Sequence, residues 1–154
     1  MKIADFLSKD CIKIGLTSKS KKDVLEEMVD VLAAAGKIKD KKKVLEALME
    51  REELGSTGIG QGVAIPHGKT DEVGEIVAAF GLSKDGVGFD TLDGDPVNIF
   101  FLLLAPHNAS GIHLKSLAKI SGLLKDKYFR KALSGCHKAE DVLGVISSEE
   151  KLKT

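Results

Sequence analysis

The chain has 154 residues, 43% of them hydrophobic, and its 23 basic residues balance 23 acidic ones. This length and composition predict a single domain over residues 1–154 with a real hydrophobic core. The formal net charge of zero gives no indication of a nucleic-acid-binding surface or a basic membrane anchor. The longest apolar run, Ile99–Ala105, falls far short of the roughly 20 residues that cross a bilayer, and no signal-peptide pattern opens the chain. Cys11 and Cys136 lack a CxxC partner, so we expect a cytoplasmic protein with reduced thiols.

Apolar periodicity and capping residues define the elements of the first third of the chain. Ser20 and Asp40 precede helical apolar patterns and are therefore predicted N-caps, while Gly36 is the expected end of the first long helix. The patterns predict, in order, a helical turn over Ile3–Leu7, a strand over Cys11–Ile14, a helix from Ser20 to Gly36, and a helix from Asp40 to Glu53.

Two continuous apolar runs in the second half are of strand length, which suits strands that are covered on both faces. The remaining patterns are helical or turn-like. They predict a strand over Ile76–Leu82 that ends at Ser83–Gly86, an edge segment and turn over Phe89–Asp95, a central strand over Val97–Ala105, a helix after the loop Pro106–Gly111, helical segments over Tyr128–Leu133 and Lys138–Ile146, and a polar, frayed tail over 147–154. Strands interleaved with helices predict an α/β fold, a layered α/β/α domain with a mixed β-sheet flanked by helices.

A glycine-rich stretch between the second helix and the next strand is the most informative part of the sequence. It runs from Arg51 to Gly68, and within it a short apolar strand, Val63–Ile65, stops at Pro66 and leaves His67 before a glycine. Glycines that adopt positive φ expose backbone N–H groups, which suits an anion such as a phosphoryl group. A histidine has an ordinary pKa of about 6.5 and supplies a neutral nucleophilic nitrogen near pH 7.

The residues alone leave other interpretations of this stretch open. His67 is also consistent with an ordinary turn, and Arg51 with a cation at a helix C-terminus rather than a ligand for phosphoryl oxygens. His113 falls on the apolar face of its helix, so it is either a core histidine or a second site residue that faces His67. A metal-assisted hydrolase built on His67, His107, His113 and an aspartate is an alternative, although no HExxH or paired-cysteine spacing supports a metal site.

Two motifs, in order along the chain, resemble a known family. The first motif runs from Arg51-Glu52 through Gly55-Ser56-Thr57-Gly58-Ile59-Gly60 and then through Gly62-Val63-Ala64-Ile65-Pro66-His67-Gly68. It resembles the phosphorylation-site signature of the enzyme IIA domains of the bacterial phosphoenolpyruvate-dependent sugar phosphotransferase system, in the mannitol, fructose and nitrogen-regulatory branch. Leu103-Leu104-Ala105-Pro106, followed by His113-Leu114 and Leu117-Ala118, resembles the family's second-histidine segment. The resemblance covers essentially the whole chain.

The resemblance implies a phosphotransferase that works through a phosphohistidine and needs no cofactor. His67 would accept the phosphoryl group from the phosphocarrier protein HPr and pass it to a cysteine or histidine of an enzyme IIB domain of a fructose- or mannitol-type permease. Arg51, His113, and the hydroxyl of Ser56 or Thr57 would hold phosphoryl oxygens or orient the ring.

The resemblance leaves the physiological role open. The alternative is a regulatory, nitrogen-type module whose phosphorylation state controls partner proteins. A relay protein needs a shallow, partly apolar docking surface. The candidates for it are Ile59, Val63, Val87 and Phe89, which the sequence alone does not distinguish from core residues. The reactive nitrogen of His67 depends on what holds the other ring nitrogen, which the sequence does not specify.

Overall fold

The computed structural model describes residues 1–153, which form five α-helices and a six-stranded mixed sheet. Two short 3-10 turns, Ile3–Asp5 and Lys9–Cys11, open the chain. The elements are then β1 (Ile12–Ile14), α1 (Lys21–Ala34), α2 (Lys41–Glu53), β2 (Gly58–Gly60), β3 (Val63–Ala64), β4 (His67–Lys69), β5 (Val77–Val87), β6 (Val97–Ala105), α3 (Ser110–Leu124), α4 (Lys127–Ser134) and α5 (Ala139–Leu152). The predicted α/β class with a mixed sheet flanked by helices is confirmed.

The first two helices begin at the predicted capping residues. The Ser20 hydroxyl accepts a hydrogen bond from the Asp23 backbone N–H at 3.3 Å, and the Asp40 carboxylate accepts one from Lys43 at 3.2 Å. Each bond satisfies an N–H group that has no partner within the helix. After α1 the chain reverses at Gly36, whose φ of +75° is a left-handed conformation that glycine adopts without strain.

Strand β6 is the centre of the sheet. It pairs antiparallel with β5 on one side and parallel with β3 and then β4 on the other, while β1 lies beyond β5 and β2 beyond β3. Val63 of β3 is opposite Ile99, and His67 of β4 is opposite Leu103. Strands β3 and β4 are therefore successive parts of one path along β6, interrupted at Ile65 and Pro66.

Helices cover the sheet in two groups. Helices α1 and α2 pack against each other, with α1 on β5 and α2 on β4, whereas α3 and α4 contact β6 and α5 contacts β1. The core between these layers includes two edge-to-face aromatic pairs, Phe80 with Phe101 and Phe89 with Phe100, at centroid distances of 5.6 and 5.5 Å. Because β6 is covered on both faces, it carries the continuous apolar run seen in the sequence.

Strand β5 is longer than its apolar run. The prediction that it ends at Leu82 is wrong, since pairing with β6 resumes at Val87 opposite Val97 after a register shift. The Ser83 hydroxyl accepts a hydrogen bond from Gly86 N–H at 3.1 Å, and Gly86 has a φ of +84°. The intervening polar residues therefore form an irregularity within the strand rather than its end.

The prediction that helix α5 ends at Ile146 and leaves a frayed tail is also wrong for the described residues, because α5 continues to Leu152. Glu150, only 7% exposed, accepts the Ile3 backbone N–H at 3.0 Å and pairs with Lys119 Nζ at 2.7 Å. These contacts dock the final turns of α5 on the start of the chain. Thr154, the last residue of the predicted tail, lies outside the described residues. Within residues 1–153, no helix is both long enough and apolar enough to cross a membrane.

Candidate functional site

A cavity of about 730 Å³ lies where the C-terminal end of α2, strand β4 and the N-terminal end of α3 meet. His67 opens onto this cavity from the strand, and His113 lines it from the helix. The other lining residues are Ala47, Glu50, Arg51, Glu53, Leu54, Gly68, Lys69, His107, Ser110, Leu114 and Leu117. Of the residues predicted for the site, the fold therefore brings Arg51, His67 and His113 together.

The position of His67 follows from the interrupted edge of β6. Strand alternation places His67 and Lys69 on one face of β4 and Gly68 on the other. Gly68 is closely covered by α2, since a Cβ atom added there would lie 3.4 Å from the carbonyl oxygen of Ala47. His67 is the first residue of a paired strand rather than part of a turn, and its backbone is fixed by the sheet.

Two hydrogen bonds define the protonation of the His67 ring. Nδ1 lies 2.8 Å from the carbonyl oxygen of Ile65, which can only accept, so Nδ1 carries the proton. On the other side, the Nε–H of Arg51 donates to Nε2 at 3.3 Å. Nε2 is therefore the unprotonated nitrogen, with its lone pair directed to the side of the ring occupied by the guanidinium. Of the two ring nitrogens, Nε2 is therefore the one with a lone pair that could form a new bond.

The surroundings of His67 favour a neutral ring. Burial lowers the pKa of His67, and the positive charge of Arg51 lowers it further, while the Ile65 carbonyl and the Glu52 carboxylate act in the opposite direction. The net effect is a pKa below the ordinary value of 6.5. Near neutral pH the imidazole is therefore available as a nucleophile.

His113 is buried and also lines the cavity, with its ring next to that of His67. Its ring meets that of His67 edge to face, with centroids 5.6 Å apart and an angle of 74° between the planes. The residue is 5% exposed, and its Nε2 atom has no hydrogen-bond partner. Burial, together with His67 and the positive charge of Lys69, lowers the pKa of His113 to about 4, so this ring is also neutral.

Arg51 links the ring to the glycine-rich loop. While its Nε faces His67, its Nη1 donates to the carbonyl oxygen of Gly55 at 2.9 Å. Gly55 has a φ of +145°, a conformation that few other residues adopt. The loop therefore holds the guanidinium in place against Nε2 of His67.

Ser56 and Thr57 are not among the residues that line the cavity. The Ser56 hydroxyl donates to the carbonyl oxygen of Phe89 at 2.6 Å and accepts from Gly58 N–H at 3.0 Å. The Thr57 hydroxyl donates to the carboxylate of Glu52 in a short hydrogen bond, and Thr57 N–H donates to the same carboxylate at 3.1 Å. In this structure both hydroxyl groups bind parts of the protein away from His67.

A buried carboxylate next to Arg51 organises this loop. In addition to Thr57, Glu52 binds Lys21 Nζ at 3.1 Å, and Lys21 lies over the ring of Phe89 at 4.8 Å from its centroid. The acidic residue was visible in the motif, but its role was not predicted. Only the fold shows that it joins the start of α1 to the loop that supports Arg51.

Sequence reasoning missed Lys69, Ser110 and the apolar rim of the cavity. Lys69 is two residues beyond His67, and its Nζ donates to the Ser110 hydroxyl at 2.7 Å. The rim consists of Leu54, 84% exposed, and Leu114, 68% exposed. Strand alternation would have identified Lys69 if β4 had been predicted.

Most of the predicted docking residues are not at the surface. Val63, Val87 and Phe89 are fully buried, so the prediction that they contribute to a docking surface is wrong. Val63 and Val87 lie on strands inside the layered core, and Phe89, just beyond β5, packs edge to face against Phe100. Ile59 is exposed, but it does not line the cavity that contains His67.

His107 lies at the outer edge of the cavity. Its Nε2 is 3.8 Å from the Asp71 carboxylate, with both side chains largely exposed. Among residues 1–153, no three side chains of the metal-binding types are grouped so that they could hold a metal ion. The structure therefore offers no support for the metal-assisted hydrolase.

Comparison with known proteins identifies the family. The model of the phosphoenolpyruvate-dependent sugar phosphotransferase system, EIIA 2, matches residues 5–149. The chain belongs to this family. The prediction made from the two motifs is thereby confirmed, and the protein is a phosphotransferase-system IIA domain that contributes to phosphoryl transfer.

Relatives in the family have two kinds of name. The PTS system fructose-specific EIIABC component of Bacillus subtilis is 42% identical over 98% of this chain, which spans about a quarter (24%) of that relative's length. The nitrogen regulatory protein of Bradyrhizobium diazoefficiens is 38% identical over 96% of this chain and 95% of its own length. Among solved structures, the nitrogen regulatory protein IIA-Ntr of Neisseria meningitidis has a TM-score of 0.87 at 40% identity and covers 94% of this chain and 98% of that one.

Proposed function

We propose that this IIA domain is a cytoplasmic phosphocarrier that accepts a phosphoryl group from phospho-HPr on Nε2 of His67 and passes it to an enzyme IIB domain of a fructose- or mannitol-type uptake system. The observation that carries the proposal is the His67 ring itself. Its proton is held on Nδ1 by the Ile65 carbonyl, its Nε2 lone pair is unprotonated beside Arg51, and it opens onto a cavity with an apolar rim.

In the proposed transfer, phosphorus undergoes an in-line displacement. The Nε2 lone pair of His67 forms a new N–P bond while the P–N bond to the donor histidine of HPr breaks, and that electron pair returns to the donor ring. The proton remains on Nδ1, hydrogen-bonded to the Ile65 carbonyl, so the phosphorylated ring carries a positive charge. When the phosphoryl group moves on to the next acceptor, His67 becomes a neutral imidazole again. The reverse sequence at phosphorus delivers the group to the cysteine or histidine of IIB.

Arg51 is the residue best placed to assist this step. Phosphoryl transfer depends mainly on positioning and on compensation of charge on the phosphoryl oxygens. The guanidinium already lies at Nε2, where the new bond would form, and a small movement would transfer its N–H groups to those oxygens. The Gly55 carbonyl, which holds Nη1, limits how far the side chain strays.

The exposed rim supports a docking role. Leu54, just after the end of α2, and Leu114 of α3 flank the mouth of the cavity, so a partner that brings a phosphohistidine or an acceptor to His67 would cover both. Two successive partners must use the same ring, which favours a small, transient interface. The fructose-specific relative, named an EIIABC component, supports IIB as the acceptor.

A regulatory role is the second candidate, and a specific observation favours it. The nitrogen regulatory relative matches this chain over nearly the full length of both proteins. In that role the same phosphohistidine would control binding to another protein instead of feeding sugar uptake. The residues around His67 serve either role equally.

The test is transfer of labelled phosphoryl groups from phosphoenolpyruvate in the presence of enzyme I and HPr. We expect label on this protein that depends on HPr, is released by acid and survives alkali. His67→Ala should abolish it without unfolding the protein, and His107→Ala, at the edge of the same cavity, should retain it. Label that persists in the His67 variant would contradict the proposal.

A chase then separates the two roles. Addition of a fructose- or mannitol-type IIB domain should remove the label from the phosphorylated protein if it acts in uptake. For a regulatory module, IIB would leave the label in place, and a partner protein would bind one phosphorylation state only.

A further inference from the structure

The cavity has a second polar wall that the nucleophile and Arg51 do not use. It is formed by Lys69 at the end of β4 and by Ser110 and His113 in the first turn of α3. The Lys69 ammonium group donates to the Ser110 hydroxyl at 2.7 Å. Both side chains are exposed to solvent. The acceptor of the ammonium group is a neutral hydroxyl oxygen, and a water molecule could take its place.

The N-terminal end of α3 meets this wall at Ser110 and His113. Ala109 occupies the N-cap position and no side chain caps the helix, so the initial N–H groups have no side-chain partner. These groups and the helix dipole favour an anion. Helix α3 is 15 residues long, which gives the dipole its full effect at this end.

An independent observation also points to a missing ligand at this wall. His113 is 5% exposed and lines the cavity, yet its Nε2 has no partner. A buried polar atom without a hydrogen bond is rare in native proteins and costs free energy. The acidic residues of the cavity, Glu50 and Glu53, belong to α2 on the opposite wall and are exposed to solvent.

We propose that Lys69, Ser110 and the first N–H groups of α3 extend the site beyond Arg51 and His113, as an oxyanion subsite that holds the phosphoryl group carried by His67. In the unphosphorylated protein Lys69 rests on Ser110; on phosphorylation its ammonium group moves to a phosphoryl oxygen. This inference rests on the proposed phosphorylation of His67. It assigns to Lys69 and Ser110 a role in recognition of the phosphoryl group, with Arg51 on the side of Nε2.

The exchange of partners is favourable for physical reasons. A hydrogen bond from an ammonium group to an anionic oxygen is about twice as strong as one to a neutral hydroxyl. In the unphosphorylated protein, His67 and the cation of Lys69 both disfavour a positive charge on His113. A phosphoryl dianion would place negative charge beside the ring instead. The ring can then donate its N–H to the anion, and its orphaned nitrogen gains a function.

The first experiment uses unphosphorylated protein and inorganic phosphate, so it does not depend on HPr or on the relay. Phosphate is titrated at neutral pH and constant ionic strength while NMR follows the Ser110 amide and the His113 ring. We expect saturable shifts, with affinity reduced about tenfold in Lys69→Met and largely kept in Lys69→Arg, since one charge-assisted hydrogen bond is lost. Lys115→Met, which removes an exposed charge from α3 outside the cavity, is the matched control.

The second experiment repeats the titration on protein phosphorylated at His67. Free phosphate should no longer bind, because the phosphoryl group fills the subsite, and phosphorus NMR should show a higher phosphoryl pKa in Lys69→Met than in wild type or Lys115→Met. Equal affinities in the two methionine variants, or phosphate binding that persists after phosphorylation, would overturn the inference while the relay stands. If phosphate binds as described but His67 is never phosphorylated, the proposed function and the assignment of this ligand both fail.

Discussion

The Nε atom of Arg51 lies 3.3 Å from Nε2 of His67, so a permanent cation faces the lone pair that would attack phosphorus. The contact joins the end of α2 to the start of β4, two elements that are separated in sequence by the glycine-rich loop. We expect the contact to have two separable effects, one on the charge of the ring and one on the geometry of transfer.

Comparison of Arg51→Ala with Arg51→Lys should separate the effect on the pKa of His67 from the effect on the rate of phosphoryl transfer. Loss of the cation should raise the pKa of His67, since Arg51 lowers it, and removal of a preorganised donor should slow phosphoryl transfer about a hundredfold. Arg51→Lys keeps the charge but not the planar fork, so the pKa should stay near that of wild type while transfer remains slow. Histidine NMR titration and single-turnover transfer from phospho-HPr measure the two quantities. A rate near that of wild type in Arg51→Ala would contradict the role.

Burial of neutral His113 should make the protein less stable in mild acid. The unfolded chain protonates this histidine near pH 6.5, but the folded protein does so only near pH 4, so the free energy of unfolding should fall as the pH drops through that window. The free energy of unfolding should fall by an amount on the order of 2 kcal/mol. This is less than the full difference between the two pKa values would give, because the open cavity admits solvent.

His113→Gln removes this titration. Urea unfolding of the variant and of wild type at both ends of the window should show a smaller acid-induced loss in the variant. If the two proteins lose stability in parallel, His113 is not the group responsible.

The carboxylate of Glu52 should be essential to the loop that supports Arg51. Glu52→Gln would leave Lys21 without its buried partner and should lower the free energy of unfolding by about 3 kcal/mol. Transfer should slow as well, because Gly55 no longer holds the guanidinium in place. Lys21→Met combined with Glu52→Gln should cost less than the sum of the single changes, which a double-mutant cycle in urea measures. Additive effects would show that the pair is not coupled.

Ser56→Ala and Thr57→Val should affect stability more than catalysis. Their hydroxyl groups bind Phe89 and Glu52 in this structure, so each change removes a hydrogen bond worth about 1 kcal/mol. If neither hydroxyl touches the phosphoryl group, transfer by the folded variants should stay close to the wild-type rate. A large loss of rate with unchanged stability would instead support the direct contact that the family resemblance implies.

The end of α5 should contribute to global stability. Glu150→Gln weakens the contacts with Ile3 and Lys119 and should cost about 2 kcal/mol, because a buried charge-assisted bond is lost. Glu140→Gln, a change at the other end of the same helix, is the control and should be nearly neutral. Thermal unfolding of both variants tests this. Equal melting temperatures would mean that α5 is frayed beyond Ile146 after all.

Much of the fold could be predicted because local patterns decide it. Ser20 and Asp40 lie directly before apolar helical periods, and a capping side chain acts within three residues, so these helix starts were correct. The buried run of β6 was equally clear. The errors fell where long-range contacts decide: β5 continues past Leu82 because β6 lies beside it, and α5 continues past Ile146 because Glu150 meets the start of the chain.

The site divides in the same way. The sequence by itself determined that His67 follows a glycine-rich loop and a proline, that Arg51 lies in the last turn of a helix and that His113 lies in the first turn of another, since all three depend on local motifs. Only the tertiary structure decided that they share a cavity, that Arg51 lies at Nε2 of His67, and that the Ser56 and Thr57 hydroxyls bind Phe89 and Glu52 while Lys69 lines the cavity beside Ser110. Most of these contacts join atoms of different elements, and their distances exist only once β6 has aligned β4 and the helices have packed around it.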